Sequence, residues 1–358
     1  METCAARARE LRSRLHWIPE ASMYETETKA ALLRFLREET ELELIDCGSW
    51  FYAKYRAGEN AQTVAFRADF DAVTGEDGIS RHLCGHDGHA AILAAFGKWV
   101  SDHRPPKNVI LLFQPGEESG EGAKLCCDLF RRESVDAVYG LHNLPGYPLG
   151  QILLRQGTFA CASEGLEIRL TGSPAHAAYP EFGANPAEAM SKLVLRVSEQ
   201  LRSPRRGMAL STVIGMEAGS DRYGVSASEG VLRFTVRAEY AEEFEELTGF
   251  VRDTAFSLAR EAGLRCEIAE RDVFPATENH AVCVENLRQA AGRAGLTTAD
   301  LSVPMRWSED FSWYLRRVPG AIFGVGSGES CPALHTADYE FPDGLIPNAL
   351  ALYRELCR

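Results

Sequence analysis

One short stretch concentrates side chains that can bind metal ions. Residues 81–90, RHLCGHDGHA, contain one cysteine and three of the nine histidines in the chain. Thiolate sulfur and imidazole nitrogen are common ligands of transition metals. Cys84 and His86 are two residues apart, a spacing that one helix face cannot bring together. The chain must therefore turn between them, which Gly85 permits, and further ligands must come from elsewhere in the sequence.

Other polar residues come at the ends of short apolar runs that predict buried strands. These residues are Asp69 and Asp71 after 63–69, Glu117 and Glu118 after 108–115, His142 within 137–145, and His335 in the late segment 333–341. Taken singly, paired glutamates are typical of a solvated helix start, and a lone histidine is usually structural or exposed. Because ligands of open α/β sheets bind beyond the carboxyl ends of the strands, we expect one crevice to collect these side chains.

The order of predicted elements indicates an α/β fold with an inserted domain. The first 160 residues alternate helices with apolar runs, which is typical of a largely parallel sheet covered by helices on both faces. Residues 164–272 then follow the order β-α-β-β-α-β of a ferredoxin-like domain. We therefore predict a catalytic, metal-binding domain from 1–163 and 273–358, interrupted by the insert at 164–272.

Composition narrows the class of partner. The chain has 358 residues, 45% of them hydrophobic and 25% charged, with a formal net charge of −13. Nucleic acids and anionic membranes require a positive surface, so neither is expected as a partner. No apolar run reaches the roughly 18 residues of a membrane span, and the charged N-terminal residues do not resemble a secretion signal. The ten scattered cysteines favour reduced thiols, and a cytoplasmic location is the expectation.

Eight motifs in order resemble those of a known enzyme family. They are RSRLHWIPEASMYETET (12–28), RADFDA (67–72), CGHDGHA (84–90), QPGEESGEGA (114–123), GLHNLPGYPLG (140–150), SPAHAAYPEFGANPAEA (173–189), SEDFSWYL (308–315) and LHTADYEF (334–341). The chain resembles the dinuclear-metal aminoacylase and carboxypeptidase family, above all its N-acyl-amino-acid amidohydrolase branch, which includes hippurate hydrolase, N-acetyldiaminopimelate deacetylase and auxin-conjugate hydrolases. The resemblance implies a phosphorylase/hydrolase-like mixed sheet flanked by helices, with an inserted lid and dimerisation domain.

The same resemblance implies the metal site. It makes Cys84, His86, Glu118, His142 and His335 the ligands of two divalent ions per subunit, with Cys84 as the bridging thiolate. Zinc or manganese is favoured, with cobalt and nickel as alternatives. Glu117 corresponds to the general base that activates a metal-bridged water. Asp71 would orient a ligating histidine, and His89 is interpreted as structural.

Two residues of the insert also have counterparts in the family. The resemblance implies that His176 reaches the active site of the opposite subunit of a homodimer and stabilises the oxyanion. Arg237 resembles a lid arginine that holds a substrate carboxylate. A surface histidine at a strand end and a solvated strand arginine are the alternative interpretations.

The function implied is hydrolysis of the amide bond of N-acyl amino acids. A dipeptidase or carboxypeptidase with the same centre is the alternative, and a catalytically silent dimeric binding protein is a third possibility. The chain departs from the family in the loop 73–83, which is short and has Thr74 where relatives have proline. Since this loop borders the expected crevice, the resemblance does not fix the acyl group.

Overall fold

The computed structural model describes residues 2–358. The strands are β1 (Glu43–Asp46), β2 (Phe51–Tyr55), β3 (Thr63–Asp69), β4 (Val73–Thr74), β5 (Ser80–Arg81), β6 (Asn108–Gln114), β7 (Ala137–Leu144), β8 (Ile152–Leu154), β9 (Gly157–Ala160), β10 (Ala162–Thr171), β11 (Ala209–Ala218), β12 (Glu229–Ala238), β13 (Arg265–Phe274), β14 (Thr277–Asn279), β15 (Thr298–Asp300) and β16 (Gly320–Gly326). The α-helices are α1 (Glu2–Leu15), α2 (Thr26–Glu39), α3 (His86–His103), α4 (Gly122–Cys126), α5 (Leu129–Arg132), α6 (Pro186–Gln200), α7 (Ala241–Glu261), α8 (Ala281–Ala294), α9 (Ser312–Leu315) and α10 (Ile346–Leu356). Two short 3-10 helices span Pro180–Phe182 and Asp343–Leu345.

The chain divides into two compact units. The larger unit comprises 2–159, 277–304 and 310–358, and the smaller comprises 160–276 and 305–309. The junctions lie within a few residues of the boundaries expected at 163/164 and 272/273. The segment 305–309 belongs to the smaller unit, whereas the sequence predicts it to be part of the catalytic domain.

An eight-stranded mixed sheet forms the centre of the larger unit, with the order β1-β2-β6-β3-β7-β16-β8-β15. Its middle strands β6, β3, β7 and β16 are parallel neighbours, as the alternation of helices and apolar runs predicts. The sheet is less parallel than expected at its edges, because β1 pairs antiparallel with β2, β2 with β6, and β8 with β16. A short connection such as that between β1 and β2 permits only antiparallel pairing. The predicted class, a mixed α/β sheet flanked by helices, is confirmed.

Helix α3 lies in the core of the larger unit and is buried along most of its length. Phe96 on this helix packs against Phe66 of β3 and Tyr353 of α10, with ring centroids 5.1 and 5.3 Å apart. All three side chains are fully buried, and truncating one such phenylalanine costs about 3–5 kcal/mol. The helix that begins at His86 is therefore held rigidly against the sheet. Within residues 2–358, no helix is both long and apolar enough to cross a membrane.

The smaller unit has a four-stranded antiparallel sheet with the order β11-β12-β10-β13, covered by α6 and α7. This is the strand order of a ferredoxin-like domain, with chain order β-α-β-β-α-β as predicted. Local sequence explains the start of α6: the Asn185 side chain accepts a hydrogen bond from Ala187 N at 3.0 Å, and Pro186 occupies the first helical turn.

Candidate metal centre

The middle strands deliver polar residues to one edge of the larger unit's sheet. Strands β6, β3 and β7 are parallel neighbours, so their carboxyl ends lie at the same edge. Asp71 follows β3, Glu117 and Glu118 follow β6, and His142 lies near the end of β7. The order of strands in the sheet thus brings together residues that are far apart in the sequence.

The turn before α3 adds Cys84 and His86 to this edge. Gly85 between them has φ +94°, in the left-handed region. A Cβ atom at this position would lie 2.7 Å from both Asn143 Oδ1 and Tyr339 Oη, so a larger residue would clash as well as strain the backbone. The turn predicted from the two-residue spacing is present, and it places both side chains on the same side.

The predicted ligands form two triads that share one residue. Cys84, His86 and His142 make the first, and Cys84, Glu118 and His335 make the second, with the ligand atoms of each triad within 4.8 Å of one another. Ligands at 2.0–2.3 Å from a common ion are about 3–4 Å apart. Both triads therefore need only small adjustments to close on an ion, and the sulfur of Cys84 lies where it could serve both.

Hydrogen bonds orient the two buried histidines of the first triad. His86 Nδ1 lies 2.9 Å from Asp71 Oδ1, which leaves Nε2 facing Glu117 and Glu118 at 3.9 and 3.8 Å. His142 Nδ1 lies 2.9 Å from the carbonyl oxygen of Asn143, and its Nε2 lies 3.6 Å from Cys84 Sγ. A proton held on Nδ1 by an acceptor leaves the Nε2 lone pair for a ligand.

The second triad contains a strained residue. His335 has φ +63°, a left-handed conformation that costs a non-glycine residue on the order of 1–3 kcal/mol. Its backbone N–H donates to Leu83 O at 2.8 Å, which ties the late loop to the turn before Cys84. This conformation places His335 Nε2 3.2 Å from Glu118 Oε1.

The cluster has a negative electrostatic environment. Close contact with Cys84 and Glu118 raises the pKa of His335 to about 10. Burial alone would lower the pKa of His86, yet Asp69 and Cys84 raise it well above its ordinary range. Burial raises the pKa of the Cys84 thiol, and a bound divalent cation reverses such a shift by favouring the thiolate. A site that favours positive charge on its histidines favours a metal cation for the same reason.

Two buried atoms at the cluster have no hydrogen bond. Among residues 2–358, neither His86 Nε2 nor Glu118 Oε1 has a partner of suitable hydrogen-bond geometry, although His335 Nε2 lies 3.2 Å from Glu118 Oε1. Leaving a buried polar atom unpaired typically costs about 1–3 kcal/mol. Both atoms point into the cluster, where a metal ion would satisfy them. The residues present therefore fit a dinuclear site of sulfur, nitrogen and carboxylate ligands.

Glu117 lies beside the cluster and belongs to neither of the two triads that share Cys84, although it forms a further group of close ligand atoms with His86 and Glu118. Its side chain is buried, Oε1 accepts a long 3.4 Å hydrogen bond from Asp310 N, and Oε2 lies 3.9 Å from His86 Nε2. Asp310 is itself held by the buried Arg67, with Nη2 2.8 Å from Oδ1, and by Gln114 Nε2 at 2.9 and 2.8 Å. One oxygen of Glu117 is thus anchored to a rigid buried network while the other faces the predicted ligands.

His89 is engaged on both sides of its ring. Nδ1 lies 2.7 Å from Asp69 Oδ1, and Nε2 lies 2.5 Å from Asn143 Oδ1. Arg67 Nη1 donates to the other oxygen of Asp69 at 2.6 Å. Both ring nitrogens of His89 are thus occupied by hydrogen-bond partners in this arrangement.

His176 and Arg237 lie in the smaller unit. His176 is exposed, and its Nδ1 accepts a hydrogen bond from Ala178 N at 3.1 Å, so the neutral ring carries its proton on Nε2. Arg237 is half-buried and donates to Ser308 Oγ at 2.9 Å, and burial lowers its pKa. Within the described chain it has no carboxylate partner. These two side chains are not part of the cluster in the larger unit.

Sequence reasoning assigned no role to several residues that surround the cluster. Arg67 binds Asp310, whose N–H donates to Glu117. Ser22 binds Asp71, which contacts His86, and Glu25 binds Gly116, the residue before Glu117. All three lie in the ordered motifs, but only their contacts reveal what they do. Only Arg67 has a signal in the sequence, because it is a charged residue within the apolar run TVAFRAD, which predicts a buried strand.

Comparison with known proteins identifies a family and relatives that cover most of the chain. Residues 65–358 match peptidase family M20/M25/M40. An N-acetyldiaminopimelate deacetylase of Lacticaseibacillus casei (strain BL23) is 29% identical over 367 residues, covering 96% of this chain and 95% of the relative. One from Leuconostoc mesenteroides is 28% identical over 362 residues, with 94% and 93% covered.

Two solved structures share the fold. A dinuclear metal-binding peptidase of the M20 family from Bacillus subtilis superposes with a TM-score of 0.85 at 23% identity, covering 99% of this chain and 98% of the other. An aminobenzoyl-glutamate utilization protein from Klebsiella pneumoniae gives 0.77 at 18% identity, covering 99% and 96%. From the sequence match and this fold, the chain belongs to peptidase family M20/M25/M40 and is a metal-binding hydrolase of amide bonds.

Proposed function

We propose that the protein hydrolyses the amide bond of N-acyl amino acids and releases the free amino acid. The observation that carries the proposal is the pair of triads sharing Cys84, with the carboxylate of Glu117 beside them and outside both. The full-length similarity to N-acetyldiaminopimelate deacetylases supports an N-acyl amino acid as the substrate class.

Two divalent ions would be held by the ligand triads Cys84–His86–His142 and Cys84–Glu118–His335. When bound, they supply Lewis acidity and a water of lowered pKa. Zinc suits the thiolate and imidazoles, and manganese, cobalt and nickel suit the mixed set as well. Asp71 keeps the His86 ring in its orientation through the 2.9 Å contact with Nδ1.

Glu117 acts as the proton carrier. Its Oε2 faces the cluster, where it accepts a proton from the attacking water and later donates that proton to the amine nitrogen of the leaving amino acid. Protonation matters because an amine anion is a poor leaving group. Glu118, next in sequence, points to the second triad, so adjacent carboxylates have separate tasks.

The smaller unit completes the site in a homodimer. His176, with its proton on Nε2, donates to the oxyanion in the active site of the opposite subunit, and Arg237 binds the carboxylate of the amino acid. The edge strand β11 supports dimerisation through this unit, because Val213, Ile214 and Met216 are exposed on it by 42%, 61% and 43%.

A substrate panel tests the proposal. Purified protein with Zn²⁺ or Mn²⁺ is expected to release amino acid from N-acetyl, N-benzoyl or N-acetyldiaminopimelate substrates, measured by amine-specific detection. A chelator such as EDTA is expected to stop the release, and added metal to restore it. Turnover of free dipeptides with none of N-acyl amino acids would assign the protein as a dipeptidase. No turnover of either class with both metal sites filled would refute hydrolysis of these substrates.

A further inference from the structure

The segment between α1 and α2 packs beside the metal centre. Residues 20–25, here called the clamp segment, run alongside the chain just after β3, where Ala21 forms a parallel β-bridge with Ala72. Ala72 N also donates to the carbonyl oxygen of Glu20 at 2.9 Å. This stretch belongs to the motif 12–28, which contributes no ligand, base or substrate-binding residue to the proposed reaction.

The first contact of the clamp segment is with Asp71. Ser22 Oγ donates to Asp71 Oδ2 at 2.7 Å. The same oxygen accepts from Glu118 N at 3.0 Å, while Oδ1 contacts His86 Nδ1. Ser22 therefore fixes a carboxylate that holds two of the predicted ligands, one through its ring and one through its backbone.

The second contact is with the turn that carries Glu117. Glu25 is buried, and its Oε1 accepts from Gly116 N at 2.7 Å and from Met23 N at 2.8 Å. Gly116 has φ +59°, and a Cβ atom there would lie 2.5 Å from Met23 Sδ. The left-handed φ favours glycine at this position, and any larger residue would also have to displace the Met23 side chain of the clamp segment.

Helix capping does not explain Glu25. It occupies the N-cap position of α2, but its side chain makes no capping hydrogen bond. The side chain of Glu20 does that instead, accepting from Thr26 N, Glu27 N and Thr28 N at 3.1, 3.0 and 2.8 Å. The Glu25 carboxyl group is therefore committed to Gly116 and Met23.

We propose that Ser22 and Glu25 are positioning residues that hold the loop 115–119, and thereby set where Glu117 and Glu118 point. Neither touches the predicted metal positions, and they act through Asp71 and Gly116. The inference rests on the roles proposed above for the two glutamates.

The acceptor oxygen of Glu25, more than its charge, performs this task. Burial raises the pKa of Glu25 to about 7, so the group is partly neutral near physiological pH and still offers an oxygen to Gly116 N–H. Glutamine has an oxygen at the same distance from the backbone. Glu25→Gln should therefore preserve what Glu25→Ala removes.

Amide hydrogen exchange in the metal-free protein gives a readout independent of turnover. We expect the Gly116 amide to be protected in the wild-type protein and to exchange at least about tenfold faster in Glu25→Ala, measured by fragmentation mass spectrometry across 114–121. Glu25→Gln should stay close to wild type. Glu27→Ala, the same substitution at an exposed site two residues on, is the matched control and should change nothing.

Kinetics on any substrate that the wild-type enzyme turns over gives the second readout. Glu25→Ala should lower kcat by about tenfold or more with little change in KM, because it misplaces the base and a ligand without altering substrate contacts. Glu25→Gln should recover most of kcat. A general loss of folding in Glu25→Ala would instead appear as a lower melting temperature of that variant.

Several results would overturn the proposal. They are an unprotected Gly116 amide in wild type, unchanged Gly116 exchange in Glu25→Ala, or a Glu25→Gln variant as impaired as Glu25→Ala. If Glu25→Ala does not fold, Ser22→Ala is used instead. We expect the Glu118 amide to exchange faster in Ser22→Ala than in wild type. Unchanged exchange there would contradict the proposed role of the clamp segment. If wild type hydrolyses no N-acyl amino acid, the proposed function fails while the exchange data still decide the role of the clamp segment.

Discussion

Replacing Glu117 by glutamine should remove the proton carrier while keeping the shape of the site. Glu117 is only 6% exposed, and its Oε1 accepts the long 3.4 Å hydrogen bond from Asp310 N. Glutamine has the same size, and its carbonyl oxygen can accept the same hydrogen bond. The amide cannot take a proton from water at neutral pH, which is the property that the reaction requires.

The two expected effects differ in size. Changing the acceptor of one hydrogen bond from charged to neutral lowers the free energy of unfolding by about 1 kcal/mol. A positioned acid or base contributes about 10²–10⁴-fold to a rate, which corresponds to about 2.7–5.4 kcal/mol of activation free energy at about 1.36 kcal/mol per tenfold. Turnover should therefore fall at least about a hundredfold in a protein that is nearly as stable as wild type.

The assay compares kcat, metal content and urea denaturation for Glu117→Gln and for Glu121→Gln. Glu121 is exposed, four residues away, and serves as the matched control, with unchanged kcat expected. Metal content by mass spectrometry should be the same in all three proteins, since Glu117 belongs to neither triad that shares Cys84. A Glu117→Gln enzyme with kcat within about threefold of wild type would refute its assignment as the base.

Three further perturbations test other parts of the site. Cys84→Ser should weaken Zn²⁺ binding at least about tenfold, because a hydroxyl replaces a thiolate shared by both triads; competition with a chromophoric chelator measures it, and unchanged affinity would remove Cys84 from the ligands. Equal amounts of inactive Glu117→Gln and His176→Ala subunits should regain about a quarter of wild-type activity after exchange, since half of random dimers would contain one intact site; no recovery despite verified exchange argues for action within one chain. Arg67→Met should lower the free energy of unfolding by about 3–5 kcal/mol in urea, because it leaves two buried aspartates without their cation; a loss under about 1 kcal/mol would show that those aspartates are neutral in the folded protein.

The sequence alone was sufficient to predict the features that depend on local spacing. The two-residue interval between Cys84 and His86, with glycine between them, predicted a turn, and Gly85 has the left-handed φ of one. Apolar runs predicted β3, β6 and β7, and the residues that follow them predicted a polar edge. These features are predictable because the pattern of neighbouring residues largely determines which side chains are buried and where the backbone turns.

Tertiary structure decided which distant residues meet. Glu118 and His335 are more than 200 positions apart, yet Nε2 and Oε1 lie 3.2 Å from each other because a late loop is tied to Leu83. The antiparallel edges of the sheet and the contacts of Ser22 and Glu25 likewise depend on packing between segments that share no local pattern. Periodicity specifies which face of an element is buried, whereas the partner that it meets is set by the order of strands and the closure of the core.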